Sequence, residues 1–425
     1  MNGLPNEGLA LAALDAQILQ PGTKGLPISA PLVQGEIGRQ GWNILRGETS
    51  FPVAVLKTSA LNHNLASMRS FCDRHGVLLA PHGKTTMSPQ LFGAQLASGA
   101  WGITLATMSQ VLVAHRFGVR RVLLANQLVA STDIALLRNL MLADPGFECV
   151  ALADSLAGVA RLAAANFQRP LPLLVELGVA GKRAGCRTEE EVMAVARAIA
   201  AAPGLQMAGI EGYEGLLDGP AQVDAFIGRL LALVRRADAE GLFGADAIIV
   251  SAGGSAYFDL VAQGFGATGR LSRAVLPIMR SGCYLTSDHR FYQKLIADMA
   301  TRSPGLHHGA LREALEVWSV VQSRPDSTLA ILSMGKRDAS SDIDLPIPLM
   351  AHRPGQAAPT TLEGCHIEKM NDQHACLRIP ATSTLAVGDL VGCGISHPCT
   401  TFDKWPLMLA VDDDYTVRFA INTFF

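Results

Sequence analysis

The sequence predicts an α/β chain: a (β/α)8, TIM-like barrel followed by a smaller antiparallel β domain. Three observations carry this. From Phe51 onward, short and nearly all-apolar runs with β character alternate with Ala- and Leu-rich segments at helical spacing. Strands apolar on both faces belong to parallel sheets, whereas half-solvated antiparallel strands alternate. The rhythm repeats seven or eight times, which suits a closed barrel better than an open sheet, and after residue 310 it gives way to β-like runs separated by turn residues.

Residues 1–50 have no clear periodicity and concentrate Pro and Gly at 21–36, so they are expected to form an extension packing on the β domain. The barrel is assigned to 51–310. VAVLK (53–57) reads as its opening strand and 60–76 as a helix ending at Gly76; VLLAPHGK (77–84) is strand, then loop. Ser88 suits an N-cap and Pro89 the first turn of a helix over 88–100. Strands follow at 102–107, 121–126, 147–154, 171–178, 207–213 and 247–254, with helices at 108–117, 155–167, 188–202 and 221–241. The β domain, 311–425, contains EVWSVVQSR, STLAILSMG, HACLRI, LVGCGI and YTVRFAI; 337–362, rich in Pro, Asp and Ser, reads as an extended excursion.

Composition narrows the function. Hydrophobic residues make up 49% of the 425 residues, charged residues 17%, and mean hydropathy is +0.25. No run of about 18 uninterrupted apolar residues exists, so no transmembrane helix or membrane partner is expected. The N-terminus lacks a basic region, and Glu7 and Asp15 bracket its apolar part, so a secretory signal is not expected either. With 35 Lys+Arg against 37 Asp+Glu, the formal charge is −2, and a nucleic-acid partner has no electrostatic support. Eight scattered cysteines without a CxxC read as reduced thiols of a cytoplasmic protein.

Three segments hold residues suited to chemistry. In APHGKT, His82 and Lys84 follow an early strand, at the end where barrel active sites collect. A lysine there suits a desolvated nucleophilic amine or Schiff base, although the same motif also suits a surface loop. In SAGGS, Ser251, Gly253, Gly254 and Ser255 follow the strand AIIV, where amides and hydroxyls cradle phosphate, or simply make a Gly-rich turn. In SHPCT, His397 and Cys399 alternate as in an extended chain, so that an imidazole and a thiolate meet on one side, a donor set that suits zinc. The alternative there is a core cysteine beside a capping histidine. Arg183, Tyr213 and Tyr284 also lie in loops or after strands, where packing alone accounts for each taken singly.

Taken together, PHGKT, GITLAT with Thr107, GKRAGC with Arg183, GIEGYEG with Tyr213, SAGGS, RSGCYLTSD, the QH of NDQHA with His374, and SHPCTTFDKW resemble the fold-type III pyridoxal-phosphate enzymes. Within them the chain is similar to the D-serine dehydratase and D-threonine aldolase group, nearest to bacterial D-serine-deaminase-like amino acid deaminases, over about residues 50–425. The resemblance implies a barrel of the alanine-racemase N-terminal type. It implies that Lys84 forms the Schiff base with pyridoxal phosphate and then takes the substrate Cα proton. His82 and Tyr213 would line the cofactor pocket, with Arg183 near the O3′ side of the pyridine ring. Ser251, Gly253, Gly254 and Ser255, with Gly282 and Tyr284, would hold the phosphate, and His397 and Cys399 would bind Zn2+. The implied assembly is a homodimer.

The activity this implies is that of a lyase: a dehydratase (ammonia-lyase) acting on a D-β-hydroxy amino acid such as D-serine or D-threonine. An aldolase yielding glycine and an aldehyde is the alternative, with Mn2+ or another divalent ion. The aldolase branch carries His-x-Asp where this sequence has His-x-Cys, so Cys399 favours dehydration. Asp372-Gln373-His374 stands where the group usually has Glu-His. A racemase would need Tyr415, the only tyrosine after residue 300, as its second base. A non-enzymatic pyridoxal-phosphate-binding protein would lack the β domain.

Overall fold

A computed structural model describes residues 4–6, 8–303 and 311–425. The expected boundary at 310 therefore falls outside the described residues. Eight parallel strands form one sheet: Leu78–Leu79, Ile103–Leu105, Arg121–Gln127, Glu148–Ala153, Leu171–Leu177, Leu205–Gly212, Ala247–Ala252 and Ala274–Met279. Ala274–Met279 pairs with Leu78–Leu79. The sheet closes where Trp101 N–H donates to the Leu79 carbonyl at 2.7 Å and Thr104 N–H to the Pro81 carbonyl at 2.9 Å. Ala80, Leu123, Val150, Leu152, Leu174, Ala208, Ile249 and Ile278 form a separate buried cluster drawn from strands all around the sheet. That is a filled barrel interior, and it is why these strands read as continuously apolar.

Local signals set the helix starts. Ser88 Oγ accepts from Leu91 N–H at 3.5 Å with Pro89 in the first turn, so the helix Pro89–Ala97 begins where the sequence places it. Thr188 and Glu191 form a reciprocal capping box at the start of Glu189–Ala201.

Two strands differ from expectation. Val53–Lys57 is not the opening barrel strand. It pairs antiparallel with Leu315–Asp326 and parallel with Leu407–Val411, in the second sheet. Its burial on every side satisfies the apolar run equally well there. The last barrel strand, Ala274–Met279, contains Pro277, which lacks an N–H and masks the strand in the sequence.

The second sheet is otherwise antiparallel, in the order Thr360–Thr361, Ile347–His352, Leu390–Gly394, Leu315–Asp326, Leu329–Leu332, Ala375–Arg378, His366–Met370. Val417–Asn422 pairs with Leu407–Val411. Glu316, fully buried, anchors the junction with Val53–Lys57. It meets Lys57 Nζ at 2.7 Å and accepts from Trp318 Nε1 at 2.9 Å and Tyr415 Oη at 3.0 Å. The N-terminal extension lies against this sheet: Gln34 Nε2 donates to Asn422 Oδ1 at 2.6 Å, and Asn43 Nδ2 to the Asp414 carbonyl at 2.7 Å. Among the described residues, no helix is long and apolar enough to cross a membrane.

Candidate active site

A cavity of about 210 Å³ opens at the C-terminal ends of the barrel strands, the end on which barrels carry their sites. Lys84 enters it from the turn Gly83–Thr85, which follows Leu78–Leu79. That turn packs tightly, because a Cβ on Gly83 would lie 2.7 Å from both Ile103 and Phe92. His82 lines the same wall. Burial first, then the cations Lys84 and Arg280, hold its imidazole well below the usual histidine range, so it is neutral at pH 7. Its Nδ1 has no partner among the described residues.

Arg183 and Tyr213 face each other across the cavity wall, the guanidinium carbon 5.4 Å from the ring centre. The Tyr213 ring is wedged between glycines: a Cβ on Gly254 would approach it to 2.6 Å, and one on Gly215 would meet its hydroxyl at 2.6 Å. Gly253, Gly254, Ser255 and Gly282 also line the cavity. Gly253 has φ +104°, and a Cβ on Gly282 would lie 2.6 Å from the His82 carbonyl oxygen, so both positions require glycine.

Two phosphate-site expectations fall elsewhere. Ser251 Oγ donates to the Ile278 carbonyl at 3.0 Å between adjacent strands, and Tyr284 Oη accepts from Gln95 Nε2 at 3.3 Å in the core. Neither is among the described residues that line the cavity.

The structure adds charges the sequence reading did not single out. Arg280 is buried, bonded to Glu211 and donating to the Gly212 carbonyl at 2.8 Å. Burial pushes the Glu211 carboxyl up to about 7 against the pull of Arg280, and its Oε1 has no partner among the described residues. Burial likewise raises Glu176, which accepts from Gln127. The wholly buried Glu214 grips the glycine loop, accepting from Gly253 N–H at 2.9 Å and Gly254 N–H at 2.6 Å. Glu176, Glu211 and Arg280 sit at the C-terminal ends of apolar strands or just beyond. A lone charge in that position was the signal to read.

The β domain closes the cavity with Cys399, which lies 3.8 Å from Cys283 Sγ and 3.4 Å from Thr85 Oγ1. Cys399 does not alternate with His397 along an extended chain. Pro398 is in the αR region and Cys399 starts a short helix, Cys399–Phe402. Proline's fixed φ suits a helix start, which explains the difference. His397 and Cys399 still interact, the imidazole being raised to about 9 by the thiolate and by Asp342. The Cys283 S–H, His397 and the Thr85 hydroxyl hold the Cys399 thiol well below its ordinary value. Asp342 Oδ2 lies 2.6 Å from His397 Nδ1, and its other oxygen accepts from Thr400 Oγ1 at 2.7 Å.

Known proteins match this arrangement in two parts. The family model for the alanine racemase N-terminal domain matches residues 56–265, and that for a putative serine dehydratase domain matches residues 314–411. Together the two matches span most of the chain, which over both parts is similar to the fold-type III pyridoxal-phosphate enzymes. Relatives include the D-threonine aldolase of Arthrobacter sp., 26% identical over 369 residues, covering 85% of this chain and 89% of that protein. The D-threo-3-hydroxyaspartate dehydratase of Delftia sp. is 28% identical over 210 residues, covering 48% of this chain and 54% of that protein. The crystal structure of D-threonine aldolase from Filomicrobium marinum shares the fold, with TM-score 0.73 and 22% identity, covering 90% of this chain and 97% of that one.

The cavity residues fit pyridoxal phosphate. The fit rests on a primary amine in the cavity, the partnerless Nδ1 of His82 and Oε1 of Glu211, and glycines placed where a Cβ would collide. Lys84 would hold the group's carbonyl carbon, and the loops of Ser255 and Gly282 its phosphate. Glu214 accepts from the Gly253 and Gly254 amides and so fixes the shape of the loop that carries Ser255.

Proposed function

We propose that the chain is a pyridoxal-phosphate- and zinc-dependent dehydratase. It converts a D-β-hydroxy amino acid, such as D-serine or D-threonine, into a 2-oxo acid and ammonia. The observation that carries this reading is that Lys84 of the barrel and Cys399 of the β domain line one cavity. The relatives named D-threonine aldolase and D-threo-3-hydroxyaspartate dehydratase support a lyase acting on D-hydroxy amino acids.

Pyridoxal phosphate supplies an electron sink that makes the substrate's Cα proton acidic. The Lys84 amine removes that proton, and Arg183 and Tyr213 wall the ring side of the site. For a metal, His397 and Cys399 are the donors. Asp342 engages His397 Nδ1 and leaves Nε2 as the nitrogen for coordination, the usual support for a ligating histidine. Among the described residues, no group of three or more His, Cys, Asp or Glu side chains forms a closed metal site. Two protein ligands leave positions open, as catalytic zinc requires. Zinc there would supply Lewis acidity to the departing β-hydroxyl, a poor leaving group by itself. The soft thiolate of Cys399 favours zinc over manganese, and with it dehydration over aldol cleavage.

The aldolase reading is kept as the second one, because the D-threonine aldolase relative spans most of both chains. A racemase has less support: Tyr415 is buried, its hydroxyl donates to Glu316, and its ring lies 5.1 Å from Trp318. A homodimer in the cytoplasm completes the proposal, the eight cysteines all being free thiols as a reducing compartment would keep them.

Incubation with D-threonine decides between the two lyases. Dehydration releases 2-oxobutyrate and ammonia; glycine and acetaldehyde without 2-oxobutyrate would overturn the dehydratase in favour of the aldolase. Light scattering of the purified chain tests the dimer.

A further inference from the structure

Cys283 and Cys399 are separated by 116 residues, yet their sulfurs lie 3.8 Å apart. Cys283 starts the turn Cys283–Leu285 beyond the last barrel strand, and Cys399 starts a helix of the β domain. Both line the cavity, and the hydroxyl of Thr85, beside Lys84, lies 3.9 Å from one sulfur and 3.4 Å from the other. A disulfide requires them to close from 3.8 Å to about 2.05 Å.

We propose that Cys283 and Cys399 are a reversible redox pair, oxidised by hydrogen peroxide to a disulfide that staples the barrel to the β domain across the cavity. The Cys399 sulfur attacks one peroxide oxygen and breaks the O–O bond, giving a sulfenic acid and hydroxide. The Cys283 sulfur then attacks the sulfenic sulfur, forming the S–S bond and expelling a second hydroxide. The two thiol protons turn both hydroxides into water. Peroxide gains two electrons and the two sulfurs lose them. On the zinc reading above, on which only this corollary rests, the disulfide and the metal exclude each other, because a ligating sulfur must be a thiolate.

The test uses the full chain with bound pyridoxal phosphate, chelated free of metal and treated with one equivalent of hydrogen peroxide. Peptide mapping without reductant should find the 283–399 crosslink. Thiol titration after denaturation should show two of the eight thiols lost and both recovered with dithiothreitol. Cys283→Ser should abolish the crosslink and leave Cys399 as a sulfenic acid that dimedone captures; if that variant fails to fold, the wild-type map still decides. Eight intact thiols, or thiol loss without that crosslinked peptide, would overturn the proposal. A parallel sample reloaded with zinc tests the metal reading separately: protection supports Cys399 as a ligand, and equal oxidation removes that assignment while leaving the redox pair standing.

Discussion

Replacing Glu214 should loosen the loop that carries Gly253, Gly254 and Ser255. The carboxylate is fully buried and accepts two consecutive backbone N–H groups, at 2.9 and 2.6 Å. Glu214→Ala leaves both donors unsatisfied at about 1–3 kcal/mol each, so the variant should lose roughly 2–6 kcal/mol, the lower part applying if a water enters. Glu214→Gln is no conservative rescue. Its amide oxygen can accept from one N–H, but its NH2 faces the other, donor against donor, for a loss of about 1–3 kcal/mol. Urea unfolding of both variants measures this. The functional readout is the ratio of affinities for pyridoxal phosphate and for pyridoxal, which lacks the phosphate. Because the glycine loop sets the position of Ser255 on the phosphate side, affinity for pyridoxal phosphate should fall about tenfold or more, roughly 1.4 kcal/mol, with little change for pyridoxal. Wild-type stability in Glu214→Gln, or equal losses for the two ligands, would refute the reasoning.

Other expectations can be checked alongside. Lys84→Ala should bind pyridoxal phosphate without the long-wavelength absorbance that covalent attachment produces; an unchanged spectrum would move the attachment to another lysine. Chelation should silence dehydration and zinc should restore it, whereas full activity in demonstrably metal-free protein would remove His397 and Cys399 as ligands. Burial holds His289 down, from 6.5 to about 4, with Glu316 pulling it up and Lys57 pushing it down. The unfolded chain therefore binds a proton that the folded chain refuses as pH falls below 6.5, and stability drops by roughly 3 kcal/mol between pH 6.5 and 4. Above pH 6.5 this residue contributes no slope. His289→Gln should flatten that part of the acid limb in urea midpoints, and a parallel decline in variant and wild type would exclude the histidine as its source.

The barrel was legible because doubly buried strands and capped helices leave strong local patterns: the run AIIV, the Ser88-Pro89 start, the capping box at Thr188. Pairing partners are not local. VAVLK is as apolar as any barrel strand, and only its register against Leu315–Trp318 places it in the other sheet. Lys84, Arg183, Tyr213 and the glycine loop stood out as polar or glycine-rich breaks after apolar runs, and the structure gathers them around one cavity. Asp342 was hidden in a loop 55 residues from His397, a distance no spacing rule spans. Glu214 was concealed differently. Its work is done toward backbone amides, which carry no sequence identity.

The strand Val53–Lys57 has a further consequence. It lies between Leu315–Asp326 and Leu407–Val411, so the β domain draws on both sides of the barrel in the chain. The barrel is thus an insertion within a discontinuous domain rather than the first of two beads. A fragment beginning at residue 311 would lack an interior strand and the Lys57 partner of Glu316. On the ribosome, the second sheet cannot complete itself until the last strand, Val417–Asn422, has emerged, long after the barrel has been made. Barrel exchange between relatives should therefore cut twice, after Lys57 and before Leu315, keeping the outer domain whole around a replaceable centre.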